Sequence, residues 1–267
     1  EGAHLSFPRW AIRPRRGRIV IKFQKVLSSQ EINSMDTEKI HAAISKSLTY
    51  SDYEFQRKSH VLFKGKKLAE NLELYLFSCP RCHSFCTMES KGNTFSCRLC
   101  NYTVLYGKDG HLTSADGACF PSPAEWSDWQ RIQLDKFLSG YRMEKTSNPF
   151  WADKNVTLRR GGRMIPLKKI SFGQIWLFSD RIGFINLRKQ RTDFQISRIR
   201  GLNVQYNNQF EFYYNRLLYR FSFRSPKTSA YKWVLAIQLL LGKTGEESRL
   251  IDDRRHSWNP NSLTSGT

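Results

Sequence analysis

The residues with the clearest chemistry are four cysteines in two pairs, Cys79-Pro80-Arg81-Cys82 and Cys97-Arg98-Leu99-Cys100, with fourteen residues between the pairs. A thiolate is a soft, charged ligand. Two Cys-x-x-Cys turns at this separation can set four sulfurs tetrahedrally at about 2.3 Å around one Zn²⁺, as in a small zinc ribbon. With all four metal positions filled, none is left for a water, so such a site is closed and structural. Two other readings of the cysteines stay open. A redox Cys-x-x-Cys is normally single and follows a strand in a βαβ context. Two disulfides require an oxidising compartment, and no export signal is visible in the chain. His83 could replace one thiolate, although four well-spaced cysteines make that unnecessary. Cys86 and Cys119 are left over and read as small packing residues.

The elements that must hold this cluster are legible as patterns. "RIVIKFQKVL", residues 18–27, alternates Ile19, Ile21 and Phe23 against Val20, Lys22 and Gln24, which predicts a strand. Asp36 is placed to cap a helix carrying Ile40, Ala43, Ile44 and Leu48. "KKLAENLELYLF" reads as a second helix, with Leu68, Leu72, Tyr75 and Leu76 on one face, delivering the chain to Cys79. Short β-prone pieces such as "TFSC" and "NYTVLYG" surround the cysteines. Ser122, Pro123 and Glu125 form a capping box with Pro at the first helical position, ahead of a stripe of Trp126, Trp129, Gln133 and Phe137.

From Asn155 to Arg224 about seven short strands follow one another, with turns at Asn207-Asn208 and Tyr214-Asn215. One helix closes the series, "SAYKWVLAIQLLLG", with Trp233, Ile237, Leu240 and Leu241 as its apolar stripe. Seven antiparallel strands capped by a Trp-bearing helix resemble a pleckstrin-homology or GRAM-type domain. The last residues are polar and read as disordered.

Lys and Arg number 43 against 23 Asp and Glu, a net charge of +20 over 267 residues. That excess implies attraction to polyanions, either nucleic acid or an anionic lipid surface, without choosing between them. No run of 18 apolar residues occurs, and the most apolar stretch, Trp233 to Leu241, is interrupted by Gln238. The chain therefore offers no bilayer-spanning helix by sequence.

The opening residues, "EGAHLSFPRWAIRPRRGRIVIKFQKVLSSQEI", together with Leu68-Ala69-Glu70 running into a Cys-Pro-x-Cys ribbon, resemble the bacterial 1-acyl-sn-glycerol-3-phosphate acyltransferase family just after its last characteristic block. The resemblance covers about residues 1–110 and none of the catalytic blocks. It implies an α+β chain: the tail of an acyltransferase α/β domain over 1–76, a zinc ribbon over 77–110 and a connector over 111–152. A pleckstrin-homology-like barrel over 153–243 and a tail over 244–267 complete it. It also implies that the chain is a C-terminal fragment, inactive alone, of an enzyme that moves an acyl group from acyl-CoA or acyl carrier protein to lysophosphatidate. Such an enzyme works as a cytoplasmic protein on the inner face of the membrane.

Two look-alikes are set aside. Glu1-Gly2 echoes the family's Phe-Pro-Glu-Gly-Thr-Arg block, but Ala3-His4 stands in place of Thr-Arg. His111 and Asp116 have the spacing of the family's His-x4-Asp pair, yet they trail the ribbon in a Gly-flanked loop, and the match reads as coincidence. Arg9, Trp10, Arg13, Arg15, Arg16 and Arg18 form the expected lipid-phosphate surface, with Phe7 beside them; an ordinary solvated basic loop is the plainer account. Arg159, Arg160, Arg163, Lys168 and Lys169 lie where lipid-binding relatives of the barrel place headgroup contacts, and there a solvated face is favoured. A zinc-ribbon module binding nucleic acid, or a protein-interaction module, is the competing class.

Overall fold

Two antiparallel sheets organise the chain in this computed structural model, which describes residues 1–115, 117–143, 148–162 and 165–242. Asp116, Arg163 and the predicted tail 244–267 lie outside the described residues. The chain divides into two compact units, Glu1–Asp128 and a second beginning at Trp129, so residues 1–76 and the ribbon belong to the same unit.

In the first unit, short helices α1 (Ala3–Ser6), α2 (Ser29–Ser34), α3 (Thr37–Leu48) and α4 (Asp52–Ser59) precede strands β1 (Met88–Lys91), β2 (Thr94–Cys97), β3 (Thr103–Tyr106) and β4 (Leu112–Thr113), which pair in sequence order. The predicted cap on α3 is present: the Asp36 carboxylate accepts from Lys39 N at 2.8 Å. The strand predicted over 18–27 does not form. A strand needs a neighbour for its N–H and C=O groups, and among the described residues only Val20 has one, exchanging hydrogen bonds with Glu1 at 2.9 and 2.7 Å. The helix predicted before Cys79 shrinks to a 3-10 turn, Leu72–Leu74. Lys67 and Asn71 take positive φ, which breaks the helical path, and Leu68, Ala69, Leu72, Leu74, Leu76 and Phe77 are all buried, more than one helix face can hide.

Asp52 fastens the start of the chain. Its carboxylate accepts from the N–H groups of Gly2 and His4 and from the Tyr50 hydroxyl. Burial pushes this carboxyl up, but those hydrogen bonds outweigh it and hold it below its ordinary value. A folded-state pKa below the unfolded one, near 4, means stabilisation that is present above that value and is lost as pH falls through the folded value. Asp52→Asn should therefore cost about 1–3 kcal/mol at neutral pH. Thermal melts of the two proteins between neutral and acid pH should converge; parallel curves would refute the assignment.

Helix α5 (Pro123–Met143) starts as predicted, with Ser122 Oγ accepting from Glu125 N at 3.3 Å. Its buried stripe is Trp126, Gln130, Leu134 and Leu138, however, while Phe137 is exposed. Both stripes share Trp126 and fit a 3.6-residue period, so the pattern could not choose between them.

The second unit contains β5 (Trp151–Gly162), β6 (Ile165–Leu177), β7 (Arg181–Asn186), β8 (Arg191–Gln195), β9 (Arg200–Tyr206), β10 (Gln209–Tyr214), β11 (Leu217–Phe223) and α6 (Ala230–Gly242). The sheet order is β8-β7-β6-β5-β11-β10-β9, two meanders joined through the first and last strands, and the sheet curls into a half-barrel. Each predicted strand falls on an observed one. The turn predicted at Tyr214-Asn215 falls one residue later: Tyr214 ends β10, and Asn215 and Arg216, both at positive φ, lead into β11 as a tight hairpin requires. The concave face is aromatic: the Phe194 ring lies 4.9 Å from Tyr219, 5.4 Å from Phe212 and 5.9 Å from Phe221. Helix α6 closes it with Trp233, stacked on Phe210 at 5.9 Å, and Trp233 Nε1 donates to Asp153 at 2.8 Å. Lys232, largely buried, pairs with the same carboxylate at 3.0 Å.

Candidate metal centre

Each cysteine pair sits in a turn that its own backbone builds, and the two turns are alike. His83 N donates to Cys79 O at 3.0 Å, and Asn101 N donates to Cys97 O at 3.0 Å. Cys79 N donates to Ser84 O at 3.0 Å, and Cys97 N to Tyr102 O at 2.8 Å. His83 and Asn101, the residues just after each pair, have φ of 59° and 58°, the left-handed conformation that turns the chain back. The turn Gly92-Asn93 between β1 and β2, with Gly92 at φ 65°, returns the chain so that Cys97, at the end of β2, faces the first knuckle.

The sulfurs converge. Cys79 Sγ lies 3.6 Å from Cys100 Sγ, Cys82 Sγ lies 3.7 Å from Cys97 Sγ, and all four are within 4.8 Å of one another. A regular tetrahedron with metal–sulfur bonds of about 2.3 Å has edges of about 3.8 Å, so the donor set fits one thiolate-preferring ion. The same spacings far exceed a disulfide bond of about 2.05 Å, and all four thiols are free.

Backbone amides face the sulfurs with the same offsets in both knuckles. Those of Arg81 and Cys82 point to Cys79, and those of Leu99 and Cys100 to Cys97. Ser84 serves Cys82 and Tyr102 serves Cys100 in the same way. Burial works against charge at Cys97. Thr87, whose Oγ1 is 3.3 Å away, and those amides outweigh it and bring the thiol down to about 6. At Cys79, buried without such a hydroxyl, burial pushes the thiol up. Two buried and two half-buried cysteines, ringed by donors, form a centre that can hold a metal ion with four thiolates.

Side chains behind the knuckles fix their positions. Trp126 Nε1 donates to Ser78 O at 2.8 Å, one residue before Cys79, and the indole lies 5.3 Å from Phe95 and 6.1 Å from Tyr102. Thr87, Ser84 and Trp126 were missed in the sequence because no spacing rule marks them. Asn101 carried a usable signal, as Asn tolerates the left-handed turn.

His83 is exposed and is not among the converging donors, in keeping with four cysteines making it unnecessary. Other expected roles change. Cys86 and Cys119 are exposed rather than packed, since each sits on a turn outside the ribbon sheet. Trp10 is 1% exposed and Arg15 is 5% exposed, so neither belongs to an outer lipid surface. Arg15 donates to Leu68 O at 2.6 Å and to the Tyr106 hydroxyl at 3.1 Å, and Trp10 Nε1 donates to Leu68 O at 3.2 Å. The pair ties the opening segment to the ribbon from inside, with Trp10 stacked on Tyr75 at 5.6 Å. Arg9, Arg13, Arg16 and Arg18 remain exposed. His111 Nδ1 faces Asp109 at 3.3 Å, its sequence partner Asp116 being outside the described residues. Arg159 Nη1 donates to Ser222 at 2.8 Å, while Arg160, Lys168 and Lys169 are exposed.

No family model matches this chain, and no curated protein matches it. Among the described residues no helix is long and apolar enough to cross a membrane.

Proposed function

We propose that this chain is the non-catalytic, zinc-stapled C-terminal part of a glycerophospholipid acyltransferase that works on the inner membrane surface, followed by a pleckstrin-homology-like domain. The parent reaction is acyl transfer from acyl-CoA or acyl carrier protein to lysophosphatidate. The observation behind this reading is that the segment resembling the acyltransferase tail and the cysteine ribbon fold as one unit. Leu68 O receives both Trp10 and Arg15, and Ala69 N donates to Gly92 O at 2.9 Å across the ribbon hairpin. Cys79, Cys82, Cys97 and Cys100 hold the zinc, which when bound cross-links the two knuckles and supplies no chemistry to a substrate.

The purified chain, given lysophosphatidate with acyl-CoA or acyl carrier protein, should form no phosphatidate above the blank. Turnover that disappears in His111→Ala would overturn the non-catalytic reading. The acyltransferase assignment has its own check in the gene: His-x4-Asp and Phe-Pro-Glu-Gly blocks are expected in frame upstream of Glu1. If they are missing, a zinc-ribbon binding module takes its place.

A further inference from the structure

The stretch that failed to become a strand leaves an unusual face in the open. Ile19, Ile21 and Phe23 are all exposed, Ile21 at 75% and Phe23 at 94%. Beyond Val20, up to Ser28, the segment has no backbone–backbone hydrogen bond among the described residues. Helix α3 contains no buried residue, and its apolar stripe ends in exposed Ile44 and Leu48. A helix of 12 residues without tertiary packing is marginal in water, so this arm is built for a surface that covers it. The chemistry around it is cationic: Arg13, Arg16, Arg18 and Lys25 are exposed, and none makes an ion pair among the described residues.

We infer that the arm from Arg18 to Leu48 forms a docking face for an anionic lipid bilayer, with Ile21 and Phe23 at the acyl boundary and Arg18 and Lys25 on lipid phosphates. This deepens the membrane-surface reading above and rests on it. Apolar side chains flanked by cations suit the charged interface. Headgroups and interfacial water can also satisfy the free N–H and C=O groups that hydrocarbon could not. A protein edge strand would engage the extended segment but leave the α3 stripe unexplained.

The test is sedimentation of the full chain with vesicles of phosphatidylcholine plus phosphatidylglycerol, against phosphatidylcholine alone. Binding should require the anionic lipid and weaken with salt. Arg18→Gln with Lys25→Gln should weaken it about five-fold for each cation removed. Ile21→Ser with Phe23→Ser should weaken it by about ten-fold or more. Lys168→Gln with Lys169→Gln, in the other unit, should leave it unchanged. All these positions are exposed, so folding should be preserved, and circular dichroism checks that. If the chain binds but the loss follows the Lys168 and Lys169 pair instead, or neither arm pair matters, this face is wrong while the membrane reading stands. Failure to bind either vesicle overturns both. A dimer in the centrifuge that Phe23→Ser dissociates, without vesicle binding, assigns the face to a second copy and also overturns the inference.

Discussion

Cys97→Ser should yield a protein without bound zinc whose ribbon, β1 to β4, is unfolded while the half-barrel remains folded. The reason is the size of what the metal holds. Those strands have four residues or fewer, too short to stand alone in water. Apparent binding free energies of structural zinc are about 10–16 kcal/mol near neutral pH, and that binding energy is folding energy. Substituting one thiolate removes a ligand and leaves its neighbours converging without the cation that offsets their repulsion. Elemental analysis should give one zinc per chain in the parent protein and none in the variant. Cys86→Ser and Cys119→Ser, outside the cluster, should retain it. A full zinc equivalent in Cys97→Ser would refute the assignment of the ligands.

Trp233→Ala should have the largest effect in the second unit, a loss of about 3–5 kcal/mol. It empties the space against Phe210 and Phe223, at 5.9 and 6.0 Å, where α6 closes the aromatic face. It also removes the indole donor from Asp153, which then has Lys232 as its remaining buried partner. Trp233→Phe separates these contributions, because it keeps ring stacking and loses only the N–H, for about 1–3 kcal/mol. Denaturant titration followed by fluorescence measures both. Zinc content should not change in either variant, since the cysteine cluster lies in the other unit. Loss of zinc in Trp233→Ala would mean that the two units do not fold independently.

The half-barrel was open to sequence reading because its elements obey local rules. Alternating apolar residues from Asn155 to Arg224 bury one sheet face, and Asn215 accepts positive φ at its turn. The metal centre was legible for a related reason. Cys-x-x-Cys fixes two sulfurs by local geometry alone, and the separation of the pairs allowed one hairpin to bring them together. The residues behind the centre were not legible, because Thr87 and Trp126 reach it through space and follow no spacing.

The first 76 residues show the opposite case. Arg15 and Trp10 looked like surface residues by type, and "RIVIKFQKVL" looked like a strand by period. Whether Arg15 is buried depends on Leu68 O and Tyr106, which are distant in sequence. Whether Ile19 to Leu27 is a strand depends on a neighbour, and the described residues supply one only at Val20. The sequence by itself determined the four cysteines that converge, the strand series of the second unit and the caps of α3 and α5, all set within a few residues. The tertiary structure alone decided which stripe of α5 is buried, that the opening segment and the ribbon are one unit, and that the arm from Arg18 to Leu48 has no buried residue. Those outcomes depend on contacts between residues far apart in the chain, which periodicity and propensity do not encode.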